Sequence, residues 1–253
     1  MQNEDIIAKL KSLSLYGVIA HLDDLDWESW LPQLIEIERK ERSRRSLERR
    51  IRRSKIGNFK AIADFDWAWP KAIDRALVEE VLTLSFLDER ANVILVGPSG
   101  VGKTTIAQNI GYEALRKGLT VFRTSASDML QDLVAQDTSI ALQRRIKRYT
   151  TPGLLIIDEV GFLSYDSRHG DLFFDVVSRR HETKSIVLTT NKPFAEWNET
   201  FANASCITAM IDRLVHRAEI VKIEGNSYRK KEAEERTQAK AASRKKKRKA
   251  RKT

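Results

Sequence analysis

Gly97-Pro98-Ser99-Gly100-Val101-Gly102-Lys103-Thr104 is the stretch that decides the fold, and it stands between an apolar run and a helical pattern. Its glycines allow the backbone N–H groups to turn toward an anion without obstruction by side chains. Lys103 supplies a positive charge, Thr104 supplies a hydroxyl ligand for Mg²⁺, and the helix that begins near Thr105 points its positive end at the same place. The loop therefore predicts that residues Gly97–Thr105 bind the phosphates of ATP.

The pattern on both sides of this loop alternates strands with helices. Apolar runs predict strands at residues 92–96, 120–124, 154–157, 185–190 and 220–223. Apolar periodicity predicts helices at residues 105–116, 128–149 and 171–181. This alternation predicts an α/β fold, in which a parallel sheet is covered by helices on both faces.

Polar residues end two of the predicted strands. Asp158 and Glu159 directly follow the apolar run Leu154–Ile157. An acid beside the phosphate loop is expected to hold Mg²⁺, and the next acid is expected to polarise an attacking water. Asn191 ends the following strand and is expected to position that water. The alternatives are two solvated acids and an asparagine that simply forms a turn.

Two arginines, Arg213 and Arg217, lie one helical turn apart near the end of the predicted domain. Arginines in such a place can reach the nucleotide of a neighbouring subunit. The alternative is a solvated or ion-paired helix face, and the sequence does not choose between the two residues. Arg229 is a weaker candidate for contact with the γ-phosphate.

Composition divides the chain into three predicted regions. Residues 1–70 form a small helical domain, residues 71–228 form the nucleotide-binding domain, and residues 229–253 form a basic tail without a core. No apolar run approaches the roughly 20 residues needed to cross a bilayer, so no membrane partner is expected. The single cysteine, Cys206, fits a reducing cytoplasm.

The net charge of +10 is concentrated in the tail and in one predicted helix of the first region. The phosphate backbone of a nucleic acid is the natural counter-ligand for a helix whose charges are nearly all positive, although a run of charged residues is more often simply a solvent-exposed helix face. Within this basic run, residues 39–55, only Glu41 and Glu48 are expected to oppose the positive charges. This helix is predicted to contact DNA or RNA, and the partner we expect is double-stranded DNA. The predicted contacts are Arg42, Arg44, Arg45, Arg49, Arg50, Arg52 and Arg53.

From about Leu10 to Lys231, the chain resembles the IstB-like ATP-binding proteins of bacterial insertion sequences, which are transposition helpers related to DnaC helicase loaders. The resemblance rests on the phosphate loop and on four further stretches. These are residues 155–163 (LIIDEVGFL), 189–197 (TTNKPFAEW), 211–217 (IDRLVHR) and 225–229 (GNSYR).

The resemblance implies an AAA+ ATPase that forms ATP-dependent homo-oligomers on DNA and assists a partner transposase in the bacterial cytoplasm. It implies that Lys103, Thr104, Asp158, Glu159 and Asn191 serve ATP and Mg²⁺, and that Arg213 or Arg217 acts across subunits. Two other functions stay open: a helicase loader, and a DNA-binding scaffold with little hydrolysis. The basic extension after Glu235 departs from the family core, and the short chain after Ile223 leaves the role of Arg229 open.

Overall fold

A computed structural model describes residues 3–22, 27, 30–201 and 205–237 of the chain. It contains two compact units, Met1–Arg52 and Arg53–Thr253, which are described separately. Among the described residues, no helix is both long and apolar enough to cross a membrane. Most of the expected tail, residues 238–253, lies outside the described residues, whereas residues 228–237 are helical.

The first unit consists of helices α1 (Asn3–Ser12), α2 (Tyr16–Ala20) and most of α3 (Leu31–Ser54). Its core joins apolar side chains of α1 to those of the first turns of α3. The buried side chains are Ile6, Leu10, Leu13, Leu22, Leu31 and Ile35. The remaining turns of α3 are dominated by charged residues, most of them basic, and are largely exposed.

The second unit is built on a sheet with the strand order β1-β6-β2-β5-β4-β3. Its strands are β1 (Ala72–Ile73), β2 (Asn92–Val96), β3 (Val121–Ser125), β4 (Leu154–Val160), β5 (Ile186–Thr190) and β6 (Ala218–Glu224). All pairings are parallel except that of β1 with β6. The parallel α/β prediction is therefore confirmed, with one short antiparallel strand added at the edge.

The helices of the second unit cover both faces of this sheet. They are α4 (Arg75–Thr83), α5 (Lys103–Arg116), α6 (Ala126–Val134), α7 (Ser139–Thr150), α8 (Ser167–Arg180), α9 (Trp197–Thr200) and α10 (Ile207–Val215). Leu155 and Ile157 of β4 pack with α6, α7, α8 and α10. The intervening Ile156 points to the other face, where a side chain at Gly111 of α5 would contact it. Burial on both faces explains the continuous apolar runs.

The helix predicted at residues 128–149 was wrong in one respect, because the structure divides it into α6 and α7. The chain leaves the helix after Val134 and restarts at Ser139. The hydroxyl of Thr138 accepts a hydrogen bond of 3.1 Å from the N–H of Ala141 and so caps α7. A threonine cap inside an otherwise helical pattern is the local signal for this break.

Arg180, the last residue of α8, is a fully buried arginine. Among the described residues its guanidinium donates only to backbone carbonyls, including those of Pro152 at 2.8 Å and Ser185 at 2.6 Å. Burial lowers the pKa of Arg180 to about 9. The side chain therefore ties α8 to the loop between α7 and β4 by satisfying carbonyls that would otherwise be buried without donors.

We expect Arg180→Met to lower the free energy of unfolding by about 3 kcal/mol, because several buried carbonyls would lose their donor. Urea denaturation measures this change. The control is Arg179→Gln at the adjacent position, where an exposed pair with Asp175 is worth less than about 1 kcal/mol. Equal effects of the two substitutions would contradict the role assigned to Arg180.

Candidate nucleotide-binding site

The phosphate loop leaves the carboxyl end of β2 and leads directly into α5. A Cβ at Gly97 would lie 2.1 Å from the carbonyl oxygen of Ile223, so only glycine fits there. Gly102 has φ +104° and stands immediately before the first residue of α5. The loop thus packs against β6 while the free N–H groups of α5 face the concavity, as an anion site requires.

Lys103 folds back over the loop that carries it. Its Nζ donates to the carbonyl oxygens of Gly97 at 2.6 Å and Pro98 at 2.7 Å. The pKa of Lys103 is lowered to about 8, chiefly by burial and also by the nearby charge of Arg229, although Asp158 and Glu159 act in the opposite direction. A polyphosphate would provide the counter-charge that this buried ammonium lacks.

The depressed pKa of Lys103 predicts that ATP affinity depends on pH. Phosphate would raise this pKa, so the charged form binds more tightly and the advantage is lost as pH rises through about 8. We expect affinity to fall about tenfold between pH 7 and pH 9, with net proton uptake above pH 8. Calorimetry in buffers of different ionisation enthalpy measures both. Constant affinity without proton uptake would contradict this prediction.

Asp158, near the end of β4, is 2% exposed and has both carboxylate oxygens engaged. Its Oδ1 accepts from the hydroxyls of Thr104 at 3.0 Å and Thr189 at 2.5 Å. Its Oδ2 accepts from Arg123 at 2.5 Å. The meeting of a carboxylate and a hydroxyl beside the phosphate loop fits Mg²⁺, which prefers such oxygen ligands.

Glu159 stands at an irregularity in the pairing of β4 with β5. Its φ of +63° is unusual for a residue other than glycine. Its N–H donates to Thr189 Oγ1 at 2.9 Å, while its side chain is exposed and lines the nucleotide cavity. The bulge therefore aims the second acid into the cavity, while the first acid stays buried.

Asn191 lies one residue beyond β5, at the same edge of the sheet. Its Oδ1 is buried and has no hydrogen-bond partner among the described residues. A Cβ on Gly161, just after β4, would come within 3.2 Å of this oxygen. An unsatisfied buried acceptor is suited to hold a water molecule, although Asn191 is not among the residues that line the nucleotide cavity.

Phe65 and Trp69 form one wall of the cavity above the loop. The Trp69 indole N–H donates to the carbonyl oxygen of Asn226 at 2.9 Å, and its ring lies edge-on to Tyr228 at 6.0 Å. The N–H of Tyr228 donates to the carbonyl oxygen of Gly100 at 2.9 Å. This wall supplies flat apolar surface next to the phosphate loop, and Arg229 lies on it.

Arg213 and Arg217 lie away from this cavity. Arg217 precedes Ala218, which pairs with Asn92 at the start of β2, whereas the phosphate loop follows the end of β2. Six residue steps along the strand separate the two levels by roughly 20 Å. Arg213 instead contacts α8, where it donates to the hydroxyl of Ser178 and stacks 4.5 Å from the ring of Phe174. Neither arginine serves the nucleotide cavity of its own chain.

The basic face of α3 carries more internal ion pairs than expected. Arg42 pairs with Glu38 at 2.5 Å, and both Arg44 and Arg45 pair with Glu41. These two arginines lower the pKa of Glu41 to about 2. The expectation that only Glu41 and Glu48 oppose the run was therefore wrong. Arg50 donates to Ser46, whereas no ion pair within the described residues engages Arg49, Arg52 or Arg53.

Thr189 and Arg123 are site residues that the sequence did not identify. Both occupy strands, and only the register shows that they face Asp158. An arginine inside the otherwise apolar start of β3 was the available signal for Arg123.

The phosphate loop follows β2, and the paired acids stand near the end of β4, which β5 separates from β2 in the sheet. This arrangement defines a P-loop nucleotide-binding domain of the AAA+ type. The profile of the family described as "IstB-like ATP binding protein" matches residues 7–236. The chain belongs to this family.

Known proteins agree with this assignment. The ATP-binding protein of insertion sequence IS5376 from Geobacillus stearothermophilus is 36% identical over 213 residues, which cover 84% of this chain and 85% of that protein. The replication initiator DnaA, solved with AMPPCP and single-stranded DNA, matches 60% of this chain and 45% of its own, with 25% identity and a TM-score of 0.50. DnaI shares the fold, with 17% identity, coverage of 66% and 89%, and a TM-score of 0.54.

Proposed function

We propose that this protein is an ATPase that assembles on DNA through ATP binding and assists the transposase of an insertion sequence. The observation that carries the proposal is the convergence of the phosphate loop, Asp158, Glu159 and the unsatisfied amide oxygen of Asn191 at one edge of the sheet. Simple nucleotide storage needs the loop but has no use for a second acid that a strained backbone aims into the cavity.

The loop and its surroundings divide the recognition of ATP between them. The N–H groups at the start of α5 and the Lys103 ammonium bind the phosphates. The wall formed by Trp69 and Tyr228 offers flat apolar surface to the adenine base. Because the backbone N–H of Tyr228 also donates to the carbonyl oxygen of Gly100, adenine bound against Tyr228 is coupled directly to the phosphate loop.

Thr104 and Asp158 are the residues that would hold Mg²⁺, which when bound neutralises phosphate charge during hydrolysis. Thr189 orients Asp158 by donating to the same oxygen as Thr104 does. Arg123 donates to the other oxygen at 2.5 Å and so fixes the orientation of the buried carboxylate.

Glu159 would act as the general base in hydrolysis. The bulge exposes its carboxylate to the cavity, and the Thr189 hydroxyl fixes its backbone N–H. Asn191 would position the attacking water through its free Oδ1. Glu159 would then take the proton from that water.

Arg213 and Arg217 would serve the site of a neighbouring subunit, because neither reaches the cavity of its own chain. Arg213 is held against α8, so its direction is set before a neighbour arrives. Arg217 is exposed and has φ +55°. This arrangement supports a homo-oligomer in which each nucleotide lies at a subunit interface.

Two known proteins support a partnership with DNA in the setting of an insertion sequence. The relative described above is named for an insertion sequence, and the DnaA neighbour was solved with single-stranded DNA. On this chain, the exposed basic face of α3 is the proposed contact with duplex DNA. Arg49 and Arg52 of this face are exposed, and no ion pair among the described residues engages them, so they can replace the counterions of the phosphate backbone.

We expect the double substitution of Arg49 and Arg52 by Gln to weaken binding to duplex DNA and to flatten its salt dependence. The slope of log K against log salt should fall by about one to two units, because each phosphate contact contributes about 0.9. Fluorescence anisotropy with labelled duplex at several salt concentrations measures the slope.

The matched control for this experiment is Arg75→Gln with Arg116→Gln. It removes the same charge from two exposed arginines in the second unit, each of which is paired within its own helix. The control should leave the salt slope near that of the wild type. An unchanged slope in the α3 variant would remove this helix from the DNA interface.

A further inference from the structure

We propose that His181, Glu182 and His216 form a transition-metal site, of a kind suited to Zn²⁺. Each residue offers one ligand atom, and these three atoms lie within 4.8 Å of one another. The two imidazole rings are 5.4 Å apart between centroids and tilted by 53°. Throughout the described part of the chain, no other group of three His, Cys, Asp or Glu residues has this proximity.

Two helix ends bring these ligands together. His181 directly follows the last residue of α8, and His216 directly follows the last residue of α10. The carboxyl end of a helix carries partial negative charge, and here two such ends meet at one point. A cation placed between the imidazoles is therefore favoured by both helices as well as by the Glu182 carboxylate.

The surroundings leave the donor atoms available. Arg90 donates to the backbone carbonyl oxygen of Glu182 at 3.0 Å, and this contact does not involve the carboxylate. None of the hydrogen bonds and ion pairs among the described residues engages the Glu182 carboxylate or either imidazole. Unlike His169, which is bound to Asp166 at 2.6 Å, both histidines keep their ring nitrogens for a ligand.

The donor set selects the class of metal. Two imidazoles and one carboxylate suit Zn²⁺ and its neighbours in the transition series, whereas Mg²⁺ prefers oxygen ligands and water. A tetrahedral zinc with bonds near 2.0 Å needs donors about 3.3 Å apart. Glu182 and His216 are exposed, so rotation of their side chains can close the remaining distance.

Metal at this place would join α8 to α10. Arg213 belongs to α10 and rests on Phe174 and Ser178 of α8, so the same two helices hold that arginine. A metal bridge at their ends would therefore fix the helix pair that presents Arg213. The site lies beside the start of β6, at the amino ends of the parallel strands, whereas the phosphate loop lies at their carboxyl ends. Metal binding here is therefore independent of the proposed nucleotide site.

The test uses the full-length protein without a histidine tag and two metals. Co²⁺ titration followed by visible absorption reports coordination, and Zn²⁺ is tested for its effect on thermal unfolding. We expect about one equivalent of Co²⁺ with a tetrahedral spectrum and a rise in Tm with Zn²⁺. His181→Ala with His216→Ala should lower metal affinity at least about 100-fold and abolish the rise in Tm.

His169→Ala is the matched control, because it removes an imidazole outside the cluster and should retain metal binding. Equal Co²⁺ affinity in the wild type and in the double variant would overturn the proposal. If the double variant does not fold, the single substitution His216→Gln at an exposed position decides the question. Wild-type affinity in His216→Gln would then overturn the proposal, and a loss of at least about tenfold would support it.

Discussion

Replacement of Lys103 by Ala is expected to weaken ATP binding at least about 100-fold. Within the part of the chain that the structure describes, the buried ammonium donates only to the carbonyl oxygens of Gly97 and Pro98, and a polyphosphate would supply the counter-charge. A charge-assisted contact of this kind is worth about 3 kcal/mol, which corresponds to roughly two orders of magnitude in affinity. Equilibrium binding of a fluorescent ATP analogue measures the loss.

The control for this experiment is Lys117→Ala, at the other end of α5. Lys117 is exposed and donates to the carbonyl oxygen of Thr83, far from the phosphate loop. It should leave ATP affinity within about twofold of the wild type. Full ATP binding by Lys103→Ala would refute the assignment of the loop, provided that the variant keeps its fold.

Replacement of Glu159 by Gln is expected to separate binding from hydrolysis. ATP affinity should stay within about twofold, whereas turnover should fall about 100-fold or more, because the general base is lost. Phosphate release in the presence of duplex DNA measures turnover. Glu196→Gln, an exposed acid after β5, is the control and should hydrolyse ATP normally.

The same experiment separates the proposed ATPase from a scaffold that uses ATP only for assembly. A scaffold would release little phosphate even as the wild type, and Glu159→Gln would then change nothing. Normal turnover by Glu159→Gln would remove this carboxylate from the mechanism. Long-lived assemblies in the variant are expected if hydrolysis limits the lifetime of the oligomer.

Much of this architecture follows from local patterns in the sequence. The phosphate loop has a fixed spacing, and the carboxyl ends of parallel strands meet at one edge, so the proximity of Asp158 and Asn191 to the loop was predictable. The apolar runs also predicted the strands, because residues buried on both faces of a sheet are apolar at every position. These features depend on neighbours that are close in sequence or set by the general geometry of the fold.

Other features depend on tertiary packing and carry no clear local signal. Thr189 and Arg123 resemble ordinary strand residues until the register places them around Asp158. Arg180 looks like a solvated residue at a helix end, yet it is buried against carbonyls from a distant loop. The contact of Arg213 with α8 likewise depends on how two helices pack, which spacing alone does not determine.

Electron microscopy of the protein with duplex DNA and a non-hydrolysable ATP analogue tests the proposed function most directly. The proposed function predicts oligomeric particles that enclose or follow the DNA when the analogue is present. These particles should be absent without nucleotide and absent with the Lys103→Ala variant. Monomers, or nucleotide-dependent particles that contain no DNA, would contradict it.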